Sequence, residues 1–184
     1  MTPELARSLT EASAEVERQL GVLIDRGGHV YALIVGDAGS LFLPEFPLRA
    51  RDRLTGLRLV HTHLNSEPLS QDDLTDLALL RLDLVCAIGV GERGLPGPVY
   101  IAHLLPTNEA GAPYEQLPAT TVHALEDDFL EMVQALENEF ARHRKPRQAG
   151  DQRDRALLVH VSEAPRGTAA DSLAELRELA RSAG

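Results

Sequence analysis

The stretch LRLVHTHLNSEPLSQDDLTDLALLRLDLVCAIGV, residues 57–90, decides the fold. Its first residues alternate apolar and polar, which predicts a strand over residues 57–62 that ends in the histidines. A helix is predicted over residues 71–82, with Leu74, Leu77, Ala78 and Leu80 as its apolar residues. Residues 84–90 then form an almost continuous apolar run, the pattern of a strand inside a sheet. Strand, helix and strand in succession put the chain in the α/β class.

Working outward, residues 3–20 read as a helix: Pro3 suits the first turn, and Leu5, Leu9, Ala12, Val16 and Leu20 keep helical spacing. Residues 21–25 and 30–35 are apolar runs joined by Arg26-Gly27-Gly28-His29, a hairpin signal in which glycine supplies positive φ. A short strand is predicted over residues 40–43, a turn over 91–97 and another strand over 99–105. Residues 122–142 carry the clearest helical stripe, formed by Leu125, Phe129, Met132, Val133, Leu136 and Phe140. The architecture expected is a central mixed sheet covered by the helices that begin at Pro3, Gln71 and Val122. Residues 1–142 would make up this domain. Residues 143–155 are almost devoid of apolar side chains and read as a linker. Residues 156–161 and 171–182 then offer a single β–α unit, the start of an incomplete second α/β domain over residues 156–184. Such a unit cannot bury both faces of its strand alone. The expectation is therefore a mobile tail or a homodimer through that strand.

Composition narrows the setting. The chain has 184 residues, 43% of them hydrophobic, yet only 4% aromatic and no Trp, so its core must be built from aliphatic side chains. One cysteine, Cys86, excludes an internal disulfide and fits a reducing compartment; inside an apolar strand it reads as an inert core thiol. No apolar run reaches the ~20 residues of a membrane span, and no signal-peptide pattern is present, so a cytoplasmic location is expected. The net charge of −10 opposes non-specific attraction to nucleic-acid phosphates. Basic residues cluster once, in Arg142-His143-Arg144-Lys145-Pro146-Arg147, which reads as a solvated linker.

Chemistry concentrates between His61 and Asp73. In His61-Thr62-His63 the two histidines lie two apart on a strand, so their rings share a face and can converge on one ion through neutral nitrogen. Asp73, ten residues beyond His63, falls in the first turn of the next helix, where its carboxylate can complete a two-His-one-Asp zinc site with an open fourth position. The same residues also make a good helix start. Ser70 suits the N-cap, Asp72 and Asp73 suit the positive helix end, and Leu69 and Leu74 suit a hydrophobic staple. Capping explains Ser70 and Asp73 without a metal, but leaves the two histidines unexplained.

This H-x-H…S-x-x-D constellation resembles the metal motif of the JAMM/MPN family over roughly residues 3–105. The resemblance implies an MPN/JAB-like sheet flanked by helices, with His61, His63 and Asp73 as metal ligands and Ser70 as the hydrogen-bond donor of the transition state. Two departures stand out. Six residues separate His63 from Ser70, one fewer than usual in the family. The family's glutamate general base precedes a glycine by three residues, and counting back from Gly21 that place holds Arg18; Glu17 and Glu15 lie nearby. A relative without peptidase activity is the expectation, with Glu17 the nearest substitute base.

A second resemblance covers the whole chain. The phrases VLIDRGG (22–28), LVHTHL (59–64), LSQDDLTDLALLRLD (69–83) and AHLLP (102–106) are similar to the N-terminal extension of some HflX-type GTPases. RALLV (155–159) and SLAELRELA (172–180) are similar to the start of that family's own N-terminal domain. The resemblance implies an accessory or regulatory region of a ribosome-associated GTPase, with the large ribosomal subunit as partner. No G-x-x-x-x-G-K-[ST] loop occurs, and the only lysine is Lys145, followed by Pro146, so GTP binding is not expected of this segment. Two alternatives stay open: a zinc-dependent JAMM-type metallopeptidase acting on peptide or isopeptide bonds, and a purely structural interaction module. His29, His123 and His143 read as surface residues. His103 reads as a strand histidine that can flank the site, and Glu126-Asp127-Asp128 as a favourable helix start.

Overall fold

The structure is a computed structural model that describes residues 1–44, 53–106, 113–125, 129–142, 158, 159, 161 and 166–182. The chain divides into two compact units, Met1–Arg144 and Lys145–Gly184.

The first unit is a mixed six-stranded sheet flanked by helices. Its elements are α1 (Pro3–Val16), β1 (Leu20–Asp25), β2 (Val30–Val35), β3 (Leu57–His63), α2 (Gln71–Leu80), β4 (Leu84–Val90), β5 (Pro96–Leu104), β6 (Tyr114–Gln116) and α3 (Phe129–Arg142), with short 3-10 turns at Glu92–Gly94 and Val122–Ala124. The strand order is β2-β1-β3-β4-β5-β6. Only β3 and β4 run parallel, because α2 carries the chain back between them; all other pairs are antiparallel.

Alternation along the strands sorts the sheet's side chains onto two faces. Leu23, Leu57, Leu59, Val85, Ala87, Ala102 and Leu104 face α2, where Leu74 and Leu77 cover them. Val22, Ile24, Val60, Leu84, Cys86, Ile88 and Val99 face Ala6 and Leu9 of α1. Phe129 and Met132 at the start of α3 touch both clusters, while Val133 and Leu136 are buried in the first.

Boundaries depart from the sequence pattern where side chains or caps override it. The first helix stops at Val16 rather than residue 20, because Glu17 turns left-handed (φ 54°) and donates its backbone N–H to Ser13 O, freeing Leu20 for β1. Residues 40–43 do not form a strand. Asp37 Oδ1 accepts from Gly39 N and Ser40 N at 2.8 and 2.7 Å, and this Asx turn sends the chain across the sheet instead of along it. The helix predicted over residues 122–142 is interrupted: Leu125 is extended (φ −79°, ψ 92°), residues 126–128 lie outside the described residues, and α-helix begins at Phe129. β5 starts at Pro96, inside the predicted turn, and β6 was not foreseen.

In the second unit, the described helix is α4 (Arg166–Ser182), five residues longer at its start than the pattern predicts. Of the strand expected over residues 156–161, residues 158, 159 and 161 are not strand and the others lie outside the described residues, as does the linker 143–155. No helix among the described residues is long and apolar enough to cross a membrane.

Candidate metal centre

β3 places His61 and His63 on the α2 face at the end where the two parallel strands finish, the usual position for sites in such sheets. Thr62, between them, points to the opposite face, where its Oγ1 accepts from Leu20 N at 2.9 Å and bonds Ser13 Oγ at 2.7 Å. The intervening threonine thus ties α1, β1 and β3 together and fixes the strand's rotation. Glycine stands opposite each histidine: Gly21 pairs with His61 and Gly89 with His63. A Cβ at Gly21 would come within 2.6 Å of Leu41 Cδ2 and 3.3 Å of His61 Cβ; one at Gly89 would strike Ser66 Oγ at 2.6 Å. Both glycines let loops fold tightly over the rings, which are buried.

Asp73 reaches the rings from the first turn of α2. Ser70 is the N-cap, and Ser70 and Asp73 make a reciprocal capping box. Asp73 Oδ2 accepts from Ser70 N at 2.6 Å and from Ser70 Oγ at 2.7 Å. Oδ1 is left over and lies 3.2 Å from His61 Nε2, while Oδ2 lies 3.4 Å from His63 Nε2. The two Nε2 atoms are 2.9 Å apart. Capping and convergence on the histidines therefore coexist in one carboxylate.

The protonation pattern favours donation to a cation. His63 Nδ1 donates to Glu67 O at 2.8 Å, so the neutral ring presents a lone pair at Nε2. His61 Nδ1 is buried without a hydrogen-bond partner among the described residues. Burial pulls His61 below its ordinary pKa, more than Asp73 offsets. For His63 burial also acts downward, but Asp73 and the Glu67 carbonyl carry it above its ordinary value. Burial acts upward on Asp73, yet its bonds to His61, His63 and Ser70 hold it well below the usual carboxylate range. The result is an ionised carboxylate and two rings crowded around one point with a surplus of acceptors. His61, His63 and Asp73 form a group that can hold a metal ion. Bonds of 2.0–2.1 Å in a tetrahedron imply ligand–ligand edges of about 3.3 Å; the two Nε2 atoms are 2.9 Å apart, and each lies 3.2–3.4 Å from a different oxygen of the Asp73 carboxylate.

A cleft of about 280 Å³ opens beside the group, lined among others by Gln19, Ser40, Phe42, Glu67, Asp72 and Asp76. Ser70 also lines it, but its hydroxyl is engaged by Asp73. Glu17 is exposed at the end of α1 and outside this lining. Arg18 donates Nη1 to Gly36 O at 3.0 Å and is likewise outside it; buried Gln19 stands there instead. Gln19, Glu67 and Asp76 carry no spacing signal and were not singled out from sequence, although Asp76 is one turn beyond Asp73 on the same helix. His103 faces away from the site, on the α1 side of β5, with Nε2 3.7 Å from Glu115 Oε2. His29 pairs with Asp25 in the hairpin, His123 is exposed, and His143 lies outside the described residues. Burial pushes the Cys86 thiol up to about 12, as expected of an inert thiol.

No protein family, no curated protein and no solved structure matches the chain.

Proposed function

We propose that this chain is a zinc-binding accessory domain on an MPN/JAB-like framework, acting as part of an HflX-type GTPase. The observation that carries the metal reading is the approach of His61 Nε2 and His63 Nε2 to each other and to the Asp73 carboxylate, with the His63 tautomer set by Glu67 O. Zinc is favoured over a harder cation because two of the three donors are imidazoles. Placement beside a GTPase rests on the quoted phrases alone. The charge of −10 makes a regulatory contact a better role for this segment than RNA binding. Metal analysis of tag-free protein tests the site: one zinc per chain is expected, lost in His63→Ala and in Asp73→Ala. Protein that holds no zinc, or variants that hold it equally well, would reject it.

One observation favours a second reading, zinc-dependent hydrolysis of peptide or isopeptide bonds. Asp76 lines the cleft, half-buried, and its carboxyl is raised from its ordinary value by burial first and then by Asp73 and Asp72. The metal would supply Lewis-acid activation of water, and Asp76 would be the group that takes the proton. Zinc-dependent cleavage that disappears in Asp76→Asn, with zinc retained, would favour this reading; the accessory role predicts no turnover.

A further inference from the structure

A second cleft, of about 110 Å³, opens on the opposite face of the sheet from the histidines. Its walls are mostly apolar, contributed by Val60, Leu84, Ile101, Leu125, Phe129 and Met132, with Arg58 and Met1, whose half-buried α-ammonium lies in the field of Arg58, among them. The Arg58 guanidinium lies over the Phe129 ring, 4.2 Å from its centre. That contact occupies one face of the plane but accepts none of the N–H bonds directed within it. Arg58 Nε is buried and has no acceptor among the described residues. Among the described residues, the acids whose fields reach Arg58 are Asp83 and Asp25, both engaged elsewhere: Asp83 by Arg26 and Gly56 N, Asp25 by His29. Burial accordingly draws Arg58 below its ordinary pKa.

Arg58 as a whole is only partly buried. Its guanidinium, in an apolar wall and bonding no acceptor among the described residues, is a place for an anion to dock on the nitrogens beyond Nε. We infer that this cleft binds a small apolar carboxylate, its acid group on Arg58 and its hydrocarbon part against Val60, Ile101 and Met132. An Arg fork matches a carboxylate's two oxygens, which selects this class over alcohols and amines. The volume is smaller than the cavity of about 150 Å³ that accepts benzene, so the cleft takes only a few carbons and the rest of a longer chain extends from its open mouth. Cys86 also lines the cleft, but its protonated thiol offers no covalent chemistry there.

Titrating the full chain with hexanoate, followed by methyl NMR at Met132, Ile101 and Leu125, tests the site. Saturable shifts are expected, with hexanoate bound at least about tenfold more tightly than hexanol, the yield of one charge-assisted hydrogen bond. Arg58→Met should remove that preference while the spectrum stays native-like. Should this variant fail to fold, Arg58→Lys keeps the charge without the fork and should weaken hexanoate severalfold but not hexanol. Equal responses to hexanoate and hexanol would overturn the inference. So would the absence of saturable binding both in the native chain and in Glu126→Gln/Asp127→Asn/Asp128→Asn, which lacks the carboxylates adjoining Phe129 in sequence.

Discussion

The two ends of β3 each carry a cluster of charged and polar side chains, and the two clusters are put together differently. At the start of the strand, Arg26 donates Nε and Nη2 to Asp83 at 2.6 and 3.0 Å and Nη2 to Glu137 at 2.9 Å. Asp83 Oδ1 also accepts Gly56 N at 2.9 Å, so cations and anions answer one another and the buried carboxylate is fully used. At the far end, two imidazoles and a carboxylate face one point with more acceptors than protons to share. A closed network of donors and acceptors holds structure; an open set of acceptors is a place for a cation.

Breaking the closed network should have the largest effect. Asp83→Ala removes the buried partner of Arg26 and the acceptor of Gly56 N, and should cost on the order of 3–5 kcal/mol in urea unfolding. Glu137→Gln, at a more exposed pair, should cost under about 1 kcal/mol. Similar losses from both would erase the distinction drawn for this end of the strand.

The open cluster should respond to metal where the closed one does not. Free zinc at about 100 times its Kd should stabilise the native chain by about 2.7 kcal/mol, and His63→Ala by nothing measurable. Arg26→Met should keep the full zinc increment despite its lower starting stability. An increment that survives His63→Ala would place the metal elsewhere.

Acid should sharpen the contrast further. In the metal-free protein, His63 has a raised folded pKa, so its contribution is complete below the unfolded value near ~6.5 and is lost as pH rises through the folded value. His61 has a lowered folded pKa; the unfolded chain takes that proton first, and stability falls as pH drops below ~6.5. The two act on opposite sides of that value, so between about pH 7.5 and 5.5 metal-free stability should pass through a maximum near ~6.5. With zinc both rings must be neutral, so the zinc increment should shrink steeply over the same range. Urea unfolding across that range, with and without zinc, distinguishes these slopes.

The smallest effect is expected at the capping box. Ser70→Ala removes a cap worth about 1 kcal/mol and loosens Asp73, so zinc affinity should fall by about tenfold without being abolished. Unfolding curves and zinc competition with a chelator measure the two separately. A loss of affinity as complete as that of Asp73→Ala would make Ser70 more than a support.

Most of this fold is legible in the chain because its strands are long apolar runs punctuated by glycine and its helices carry strong caps. Strand β4 and the hairpin arm β2 have the boundaries their residues suggest, and α2 begins where Ser70 indicates. The short strand β6 was hidden because Tyr114–Gln116 has no periodicity of its own and exists only by pairing with Ala102, His103 and Leu104. Residues 40–43 misled for the converse reason: a locally apolar run lost to the Asp37 turn and to the docking of Leu41 against Gly21.

By itself, the sequence determined that His61 and His63 share a face and that Ser70 and Asp73 begin a helix, since both follow from local periodicity and capping. Only the tertiary structure decided that α2 returns across the sheet so that the Asp73 carboxylate serves the cap with one oxygen and meets His61 with the other. It also decided that Gln19, not Arg18 or Glu17, stands in the cleft, and that Arg58, on the opposite face, has no ion-pair partner among the described residues. Which atoms meet across a sheet depends on strand order, register and loop paths, and these are set by long-range packing that no single stretch of residues encodes.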